Sequence, residues 1–329
     1  MESSVNLQHY NSITGLLIGQ VTDKDHCTGC TVVLAEAGAV AGVDVRGGAP
    51  GTHGTDALRP ENLVDRVHAV VLTGGSAYGL ASVRGVMEYL RERNCGFVTG
   101  YGIVPIVVGA VVFDLALNRH RVLPDASMGY RACEQAVDNR VAQGNAGAGT
   151  GSTVGKLFGI ERAMKGGQGF SSFENSRGLQ IWTLAVVNAF GDVRSRANGQ
   201  LLAGARSPDG QGFADAGKCL RELEVLRGFA AGNTVLGVVA TNARFDKAGA
   251  TRIAQMAQAG ISRVVVPAHT LYDGDTVFAL CTGEYTGVEV SVVGALAADL
   301  MAEAVINGVI HAQSIGGLPA HRDFQVKGV

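Results

Sequence analysis

Gly232-Asn233-Thr234-Val235-Leu236-Gly237-Val238-Val239-Ala240-Thr241 opens with a Gly-Asn turn signal and continues as a β-branched apolar run. That is the pattern of a buried strand entered from a tight turn. A threonine, Thr234, stands at its head. Inside a chain a threonine is a poor nucleophile, because its hydroxyl needs a base within hydrogen-bond reach. Breaking the Asn233–Thr234 bond would supply one, a free α-amine of pKa about 7.7–8.0. Two readings stand side by side here: a plain turn into a core strand, and a precursor that cuts itself to expose an N-terminal threonine.

The rest of the chain can carry either reading. Its 329 residues are enough for one large domain or two ordinary ones, and 47% are hydrophobic, so a sizeable core is expected. Glycine accounts for 47 residues, about twice the usual share of ~7%. These glycines follow no collagen-like period and point to tight turns and close backbone approaches. With 27 basic and 29 acidic residues the net charge is −2, and no basic tract suggests a nucleic-acid partner. The polar stretch Met1–Gly15 does not read as a signal peptide. The apolar run Ile103–Leu117 is broken by Pro105, Gly109 and Asp114 and is too short for a membrane span. A cytoplasmic protein is expected, with Cys27, Cys30, Cys95, Cys133, Cys219 and Cys281 as free thiols.

Strand and helix signals alternate, as in a layered α/β or α+β domain. Strands are expected at Thr31–Ala35, Ala39–Val45, Ala69–Leu72, Ile181–Val187, Val235–Thr241, Val264–Val266 and Val277–Leu280. Helices are expected at Leu80–Arg93, Gly129–Val137, Gly155–Ala163, Lys247–Gln258 and Val288–Ile306. No Pro- or Ser-rich linker divides the chain. Its seam is the polar loop Gly204–Gly232, the kind of segment where proteolytic nicks concentrate.

Several other stretches carry chemistry-bearing side chains. Thr73-Gly74-Gly75-Ser76-Ala77-Tyr78-Gly79 lies between a strand and a helix. It lacks the Lys-Ser/Thr of a phosphate loop and the spacing of a dinucleotide fingerprint, so a tight turn with Tyr78 lining a pocket fits better. Cys27-x-x-Cys30 beside His26 has no second pair at zinc-site spacing, and no metal site is expected. Asp273-Gly274-Asp275 reads either as a polar turn or as a carboxylate pair orienting a nucleophile, with like charges raising one pKa. Lys156 follows the glycine-rich stretch Gly144–Gly151, either facing solvent or buried where it can polarise a carbonyl. Asn188 ends an apolar strand and could donate to an oxyanion or cap a turn.

Taken in order, these motifs resemble a self-cleaving aminopeptidase family. It includes the D-aminopeptidase/esterases, the β-aminopeptidases and the nylon-oligomer (aminohexanoate oligomer) hydrolases. The matching stretches are Asn11–Thr14, Arg46–Gly51, Leu72–Leu80, Pro105–Val107 through Phe113-Asp114, Gly147–Lys156, Val187-Asn188, Gly232–Thr234 and Asp273–Thr276. They span residues 11 to 306, nearly the whole chain.

The resemblance implies an α+β fold, a four-layer αββα sandwich of N-terminal-nucleophile type, in one domain (1–329). Cutting at Asn233–Thr234 would divide it into chains 1–233 and 234–329 that stay together. By position, Thr234 would be the nucleophile, Lys156 and Asn188 would assist the oxyanion and the α-amine, and Asp273 and Asp275 would hold that amine and the threonine. Tyr78 and Phe113 would contact substrate. Threonine with Asp-x-Asp, in place of serine with Ser-x-Glu, sets the chain nearer the nylon-oligomer hydrolases, where relatives carry a tyrosine at the position of Phe113. The implied activity is hydrolysis of a small amide or peptide through an acyl-enzyme, with no cofactor, no metal, no nucleic acid and no membrane, in a homo-oligomer, by resemblance a tetramer. Two alternatives remain at this stage. One is an acyltransferase like the ornithine acetyltransferases, which also use a threonine; the other is a non-cutting binding protein on the same fold.

Overall fold

The structure is a computed structural model in which residues 6–118, 122–222 and 232–324 are described. Nine strands form one hydrogen-bonded sheet that folds over on itself: β1 (Leu17–Asp23), β2 (Thr28–Val45), β3 (Thr52–His53), β4 (Arg66–Thr73), β5 (Val107–Val111), β6 (Gly167–Glu174), β7 (Gln180–Asn188), β8 (Thr234–Ala243) and β9 (Thr276–Tyr285). The fold line is β2. Its first part, Cys30–Leu34, pairs with β1 and β4, and its last part, Val40–Val45, pairs with β9. The two halves are therefore β1-β2-β4-β5-β3 and β6-β7-β8-β9-β2. The sequence signals predict two strands here. A register shift between Leu34 and Ala39 makes them one bulged strand that leaves the first half and enters the second.

Helices cover the outer faces. They are α1 (Ser82–Glu92), α2 (Ala126–Glu134), α4 (Lys247–Val264) and α5 (Val290–Ile310), while the short α3 (Ala216–Arg221), numbered in chain order, packs apart against Leu157, Phe190 and Ala205. In β8 the even positions Leu236, Val238 and Ala240 meet Val33, Val70 and Val108 in the core between the two halves. The odd positions Val235 and Val239 pack against Ile253, Ala257 and Met301 of α4 and α5. On the far side, Val32, Leu34 and Val71 pack against Val83, Leu90 and Met128 of α1 and α2. The result is four layers, αββα. Because both faces of β8 are covered, it reads as an unbroken apolar run rather than an alternating one. Each half contains one parallel pair, β4 with β5 and β8 with β9, and each pair is joined through a helix, as parallel neighbours require. Helix α5 is long and apolar enough to cross a membrane by composition. Here it is a core helix, with Val293, Ala297, Met301 and Val305 fully buried.

One expected helix is absent. Residues 155–163 turn instead of coiling, with Gly155 (φ +72°) and Gly159 (φ +89°) in the left-handed region and only a single 3-10 turn at Ile160–Arg162. Thr153–Val154 pairs with Met164–Lys165, so the segment is a loop between two short strands. The expected helix at Gly129–Val137 starts earlier, where Asp125 caps α2 through the Met128 amide. In the loop Gly204–Gly232, the buried carboxylate of Asp192 accepts from Ala205 N and Ala216 N and so anchors the first part and α3. Residues 223–231 of that loop lie outside the described residues. All six cysteines are free thiols.

Helices α1 and α2 touch through glycines: a Cβ on Gly85 would lie 1.7 Å from the Ala126 carbonyl oxygen, and one on Gly129 would lie 2.0 Å from that of Ser82. Gly85→Val should therefore force the helices apart and cost roughly 1–3 kcal/mol or more. Gly100→Ala, where nothing lies within 4 Å, should change stability by less than about 0.5 kcal/mol. Urea denaturation of the two variants measures the contrast, and equal midpoints would refute the close-packing argument.

Candidate active site

Strand pairing alone brings Thr234, Asn188, Asp273 and Asp275 together. Thr234 begins β8 directly opposite Asn188, the last residue of β7. Both occupy even positions, on the face that points between the two halves of the sheet. On its other side β8 runs parallel to β9, with Leu236 beside Thr276. The isolated bridge Asn233–Asp273 keeps the same offset. Continued at that register, the ladder sets Gly274 beside Thr234 and Asp275 beside Val235. The Asp275 carboxylate accepts from Val235 N at 2.6 Å. The Asp273 carboxylate reaches across to Phe190 N at 3.1 Å, just past the end of β7.

Lys156 enters from the loop that replaces the expected helix. Its ammonium donates to Asn188 Oδ1 (2.8 Å), to the Asn188 carbonyl (2.9 Å) and to the Gly232 carbonyl (3.4 Å). Asn188 Nδ2 donates to the same Gly232 carbonyl at 3.0 Å and to that of Phe113 at 3.2 Å. Asn188 Oδ1 also accepts from Thr153 N at 2.9 Å. Thr234, Lys156, Asn188, Asp273 and Asp275 are each no more than 5% exposed. In the intact chain the Thr234 hydroxyl donates to the Asn233 carbonyl.

Burial of these charges shapes their protonation. Burial pushes Lys156 down to about 7, against the pull of Asp273. Burial and the neighbouring Asp275 push Asp273 up to about 6. A second buried lysine, Lys165, is pushed down to about 8 by burial. It braces the Gly147–Lys156 loop from behind by donating to the carbonyls of Thr150 (2.9 Å) and Ser152 (2.5 Å). Asp114, raised by its own burial, accepts from Thr28 Oγ1 at 2.7 Å and Gly75 N at 2.8 Å. It thereby straps the Thr73–Gly79 loop to the segment that carries Phe113.

Above Thr234 opens a cavity of about 240 Å³, walled by Pro50, Val111, Phe113 and Tyr272 and by Ser76 and Ala77 of that loop. Phe113 is part of its wall. Tyr78, expected from sequence to line a pocket, is not: it is 68% exposed and lies outside the lining, its place taken by Ser76 and Ala77. A larger groove, about 440 Å³, runs along Pro60, Arg66 and Lys247 and touches none of these residues. The Cys27-x-x-Cys30 pair is buried and lines neither cavity.

Sequence reasoning missed the residues that aim the carboxylates. His269 presents both its backbone N–H (3.1 Å) and ring Nδ1 (2.8 Å) to Asp275 Oδ2. Thr270 does the same for Asp273 Oδ2 with N–H (3.1 Å) and hydroxyl (2.5 Å). Thr270-x-x-Asp273 is a spacing at which side chain and backbone bond locally, so Thr270 had a readable signal. His269 had none. It sits at φ +56°, a conformation its tertiary contacts impose.

A family model described as Peptidase family S58 matches residues 11–322. An uncharacterized aminopeptidase of Mycobacterium tuberculosis (strain ATCC 25618 / H37Rv) is 43% identical, over 95% of this chain and 98% of its own. A 6-aminohexanoate-oligomer endohydrolase of Kocuria sp. (strain KY2) is 31% identical, over 89% of this chain and 83% of its own. Among solved structures, the L-aminopeptidase D-Ala-esterase/amidase of Ochrobactrum anthropi, described as a variant of the Ntn hydrolase fold, superposes with a TM-score of 0.68 at 21% identity. That match covers 96% of this chain and 90% of the other. A Burkholderia sp. beta-aminopeptidase gives 0.66 at 22%, covering 97% and 92%.

The lysine shift has a consequence for stability. The folded pKa of Lys156, about 7, is below its unfolded value of 10.5. Between them the unfolded chain holds a proton that the folded chain has released, so stability rises with pH from about 7 upward. Lys156→Met should reduce the slope of unfolding free energy between pH 7 and 9 by up to about 1.4 kcal/mol per pH unit. Denaturation at pH 7, 8 and 9 tests this, and an unchanged slope would contradict the buried-lysine assignment.

Proposed function

On the premise that this chain belongs to peptidase family S58 and is a hydrolase of amide bonds, we propose that its chemistry runs through Thr234 after self-cutting at Asn233–Thr234. The observation that carries this reading is the convergence on Thr234 of Asn188 opposite, the Asp273–Asp275 segment beside, and Lys156 behind. Once Thr234 is an N-terminus, its α-amine takes the hydroxyl proton as Oγ attacks a substrate amide carbonyl. The acyl-enzyme then forms, the amine product leaves, and water releases the acid. Asn188 Nδ2 and Lys156 Nζ supply the hydrogen-bond donors facing the substrate carbonyl. Asp273 and Asp275, each held by two or more donors, fix the strand end and stabilise the ammonium form of the amine. Phe113 contributes an apolar wall, without a hydroxyl.

The two kinds of relative point to different substrates, since an aminopeptidase engages a free N-terminal amine and an oligomer endohydrolase does not. Among the described residues, the walls over Thr234 carry no charged side chain. Apolar walls suit an uncharged acyl group, and desolvating an ammonium there would be costly. We therefore favour amides whose acyl part is neutral over peptides with a free α-amine. The working protein on this reading is a pair of chains, 1–233 and 234–329, within a homo-oligomer. Its association is supported by the ribbon of Phe97–Thr99 with Gly102–Val104, which exposes Val98 and Tyr101. Six free thiols fit a reducing, cytoplasmic setting.

Mass spectrometry of purified protein should find a fragment beginning Thr234-Val235-Leu236. Thr234→Ala should remain one chain and lose at least about 10³-fold in kcat/KM. An alanine variant that still cuts would end the threonine mechanism. A matched pair of anilides, alanine with and without an N-acetyl group, tests the substrate reading. The acetylated member should be the better substrate by about tenfold or more, and a preference for the free amine would reverse it.

A further inference from the structure

The two carbonyls that precede Thr234 are held by different donors. The Gly232 carbonyl accepts from Asn188 Nδ2 (3.0 Å) and Lys156 Nζ (3.4 Å). The Asn233 carbonyl, which belongs to the bond to be cut, accepts from the backbone N–H of Gly274 at 2.8 Å. In the self-cutting step Thr234 Oγ adds to the Asn233 carbonyl carbon, and negative charge develops on that same oxygen. We infer that the Gly274 backbone N–H is the oxyanion donor of self-cutting, separate from the Asn188–Lys156 pair, which clamps the Gly232 carbonyl until the cut frees it for substrate. This rests on the self-cutting reading above.

The chemistry balances without a co-reactant other than water. The Oγ–C bond forms and the bond from that carbon to the Thr234 nitrogen breaks. The hydroxyl proton ends on the departing nitrogen, leaving an ester and a free amine. Water then adds to the ester and the C–Oγ bond breaks, giving the Asn233 carboxylate and the restored hydroxyl.

A donor stabilises an oxyanion well when it cannot reorient, and the surroundings hold this one still. In the Asp273–Gly274 peptide unit itself, the Asp273 carbonyl accepts from Ala49 N at 2.8 Å. A hydrogen bond on that carbonyl also polarises the N–H at the other end of the unit. One residue on, the Asp275 carbonyl accepts from Arg46 N (2.9 Å) and Gly47 N (3.2 Å). The carboxylates of Asp273 and Asp275 anchor the same segment to Phe190, Thr270, His269 and Val235. The donor also needs a glycine. A Cβ at 274 would lie 2.9 Å from Thr234 Oγ1 and 2.7 Å from the Ala49 carbonyl oxygen. The loop Arg46–Gly51 is thus explained: Gly47 has no room for a side chain, its Cβ falling 2.2 Å from the Asp273 carbonyl oxygen, and it lies there to hold the peptide unit.

The test removes the single N–H. Glycolic acid placed at position 274 by suppressor tRNA in cell-free translation turns the Asp273–Gly274 amide into an ester, which removes that N–H and leaves every side chain in place. Self-cutting of the full chain is followed by intact mass. Losing one such donor should slow it by about 10²–10³-fold, with uncut chain accumulating, whereas cutting at the unmodified rate would overturn the inference. The unmodified chain, run alongside, reports on the self-cutting reading itself: if it too stays whole, that reading fails and the inference with it. Should the ester chain not fold, Gly274→Ala decides, because its methyl displaces the donor from the Asn233 carbonyl. Cutting by that variant as fast as by the unmodified chain would overturn the inference equally.

Discussion

The parallel pairing of β8 with β9 is the constraint on which the rest of the site depends. Leu236 lies beside Thr276, and the same offset persists to Asn233 and Asp273. Shifting that ladder by one residue would turn Thr234 toward the helices and put a carboxylate-bearing residue where Gly274 stands, because side chains alternate along a strand. What opposes the shift is close packing on both faces of the strand, with Leu236 and Val238 fitted between the sheets and Val235 and Val239 against α4 and α5. Ordinary packing therefore places Thr234, and the proposed chemistry sits at the open end of a structural ladder.

Charges buried this deeply are tolerated because each is matched. Lys156 meets three oxygens, and Asp273 and Asp275 each collect backbone and side-chain donors. Such a network is costly when one member is missing, since an unpaired buried charge keeps its full desolvation penalty. It also moves protonation toward neutral pH, with Asp273 near 6 and Lys156 near 7, the range in which proton transfer to and from an amine is useful. Lys165 and Asp114 form a supporting tier. They bind loop backbones rather than Thr234 or its neighbours, holding Thr150 and Ser152 on one side and Gly75 on the other.

The elements were readable in the sequence where packing and local preference agree. The runs Ile181–Val187, Val235–Thr241 and Val277–Leu280 became β7, β8 and β9 because nearly continuous apolar residues suit strands covered on both faces. The amphipathic stretch after Asp246 became α4, capped by that aspartate at Gly249 N. Reading failed where backbone conformation outweighed composition. Gly155 and Gly159 adopt left-handed angles that end any helix at Lys156, and the bulge in β2 joined two apparent strands. The aromatic of the Thr73–Gly79 loop also misled: Tyr78 follows the left-handed Gly75 and Ser76 and is carried out to solvent.

By itself the sequence determined which residues could do chemistry and in what order they occur. It also determined the strand that sets Thr234 at its head, since a turn signal followed by an unbroken apolar run is a local feature of the chain. Only the tertiary structure decided what those residues touch. Asn188 faces Thr234 through a β7–β8 register, Asp273 and Asp275 are aimed by His269 and Thr270, and Gly274 turns its N–H toward the Asn233 carbonyl. The physical reason is that directions of hydrogen bonds follow from register and from backbone held by distant loops such as Arg46–Gly51. Neither is encoded in any single stretch of residues.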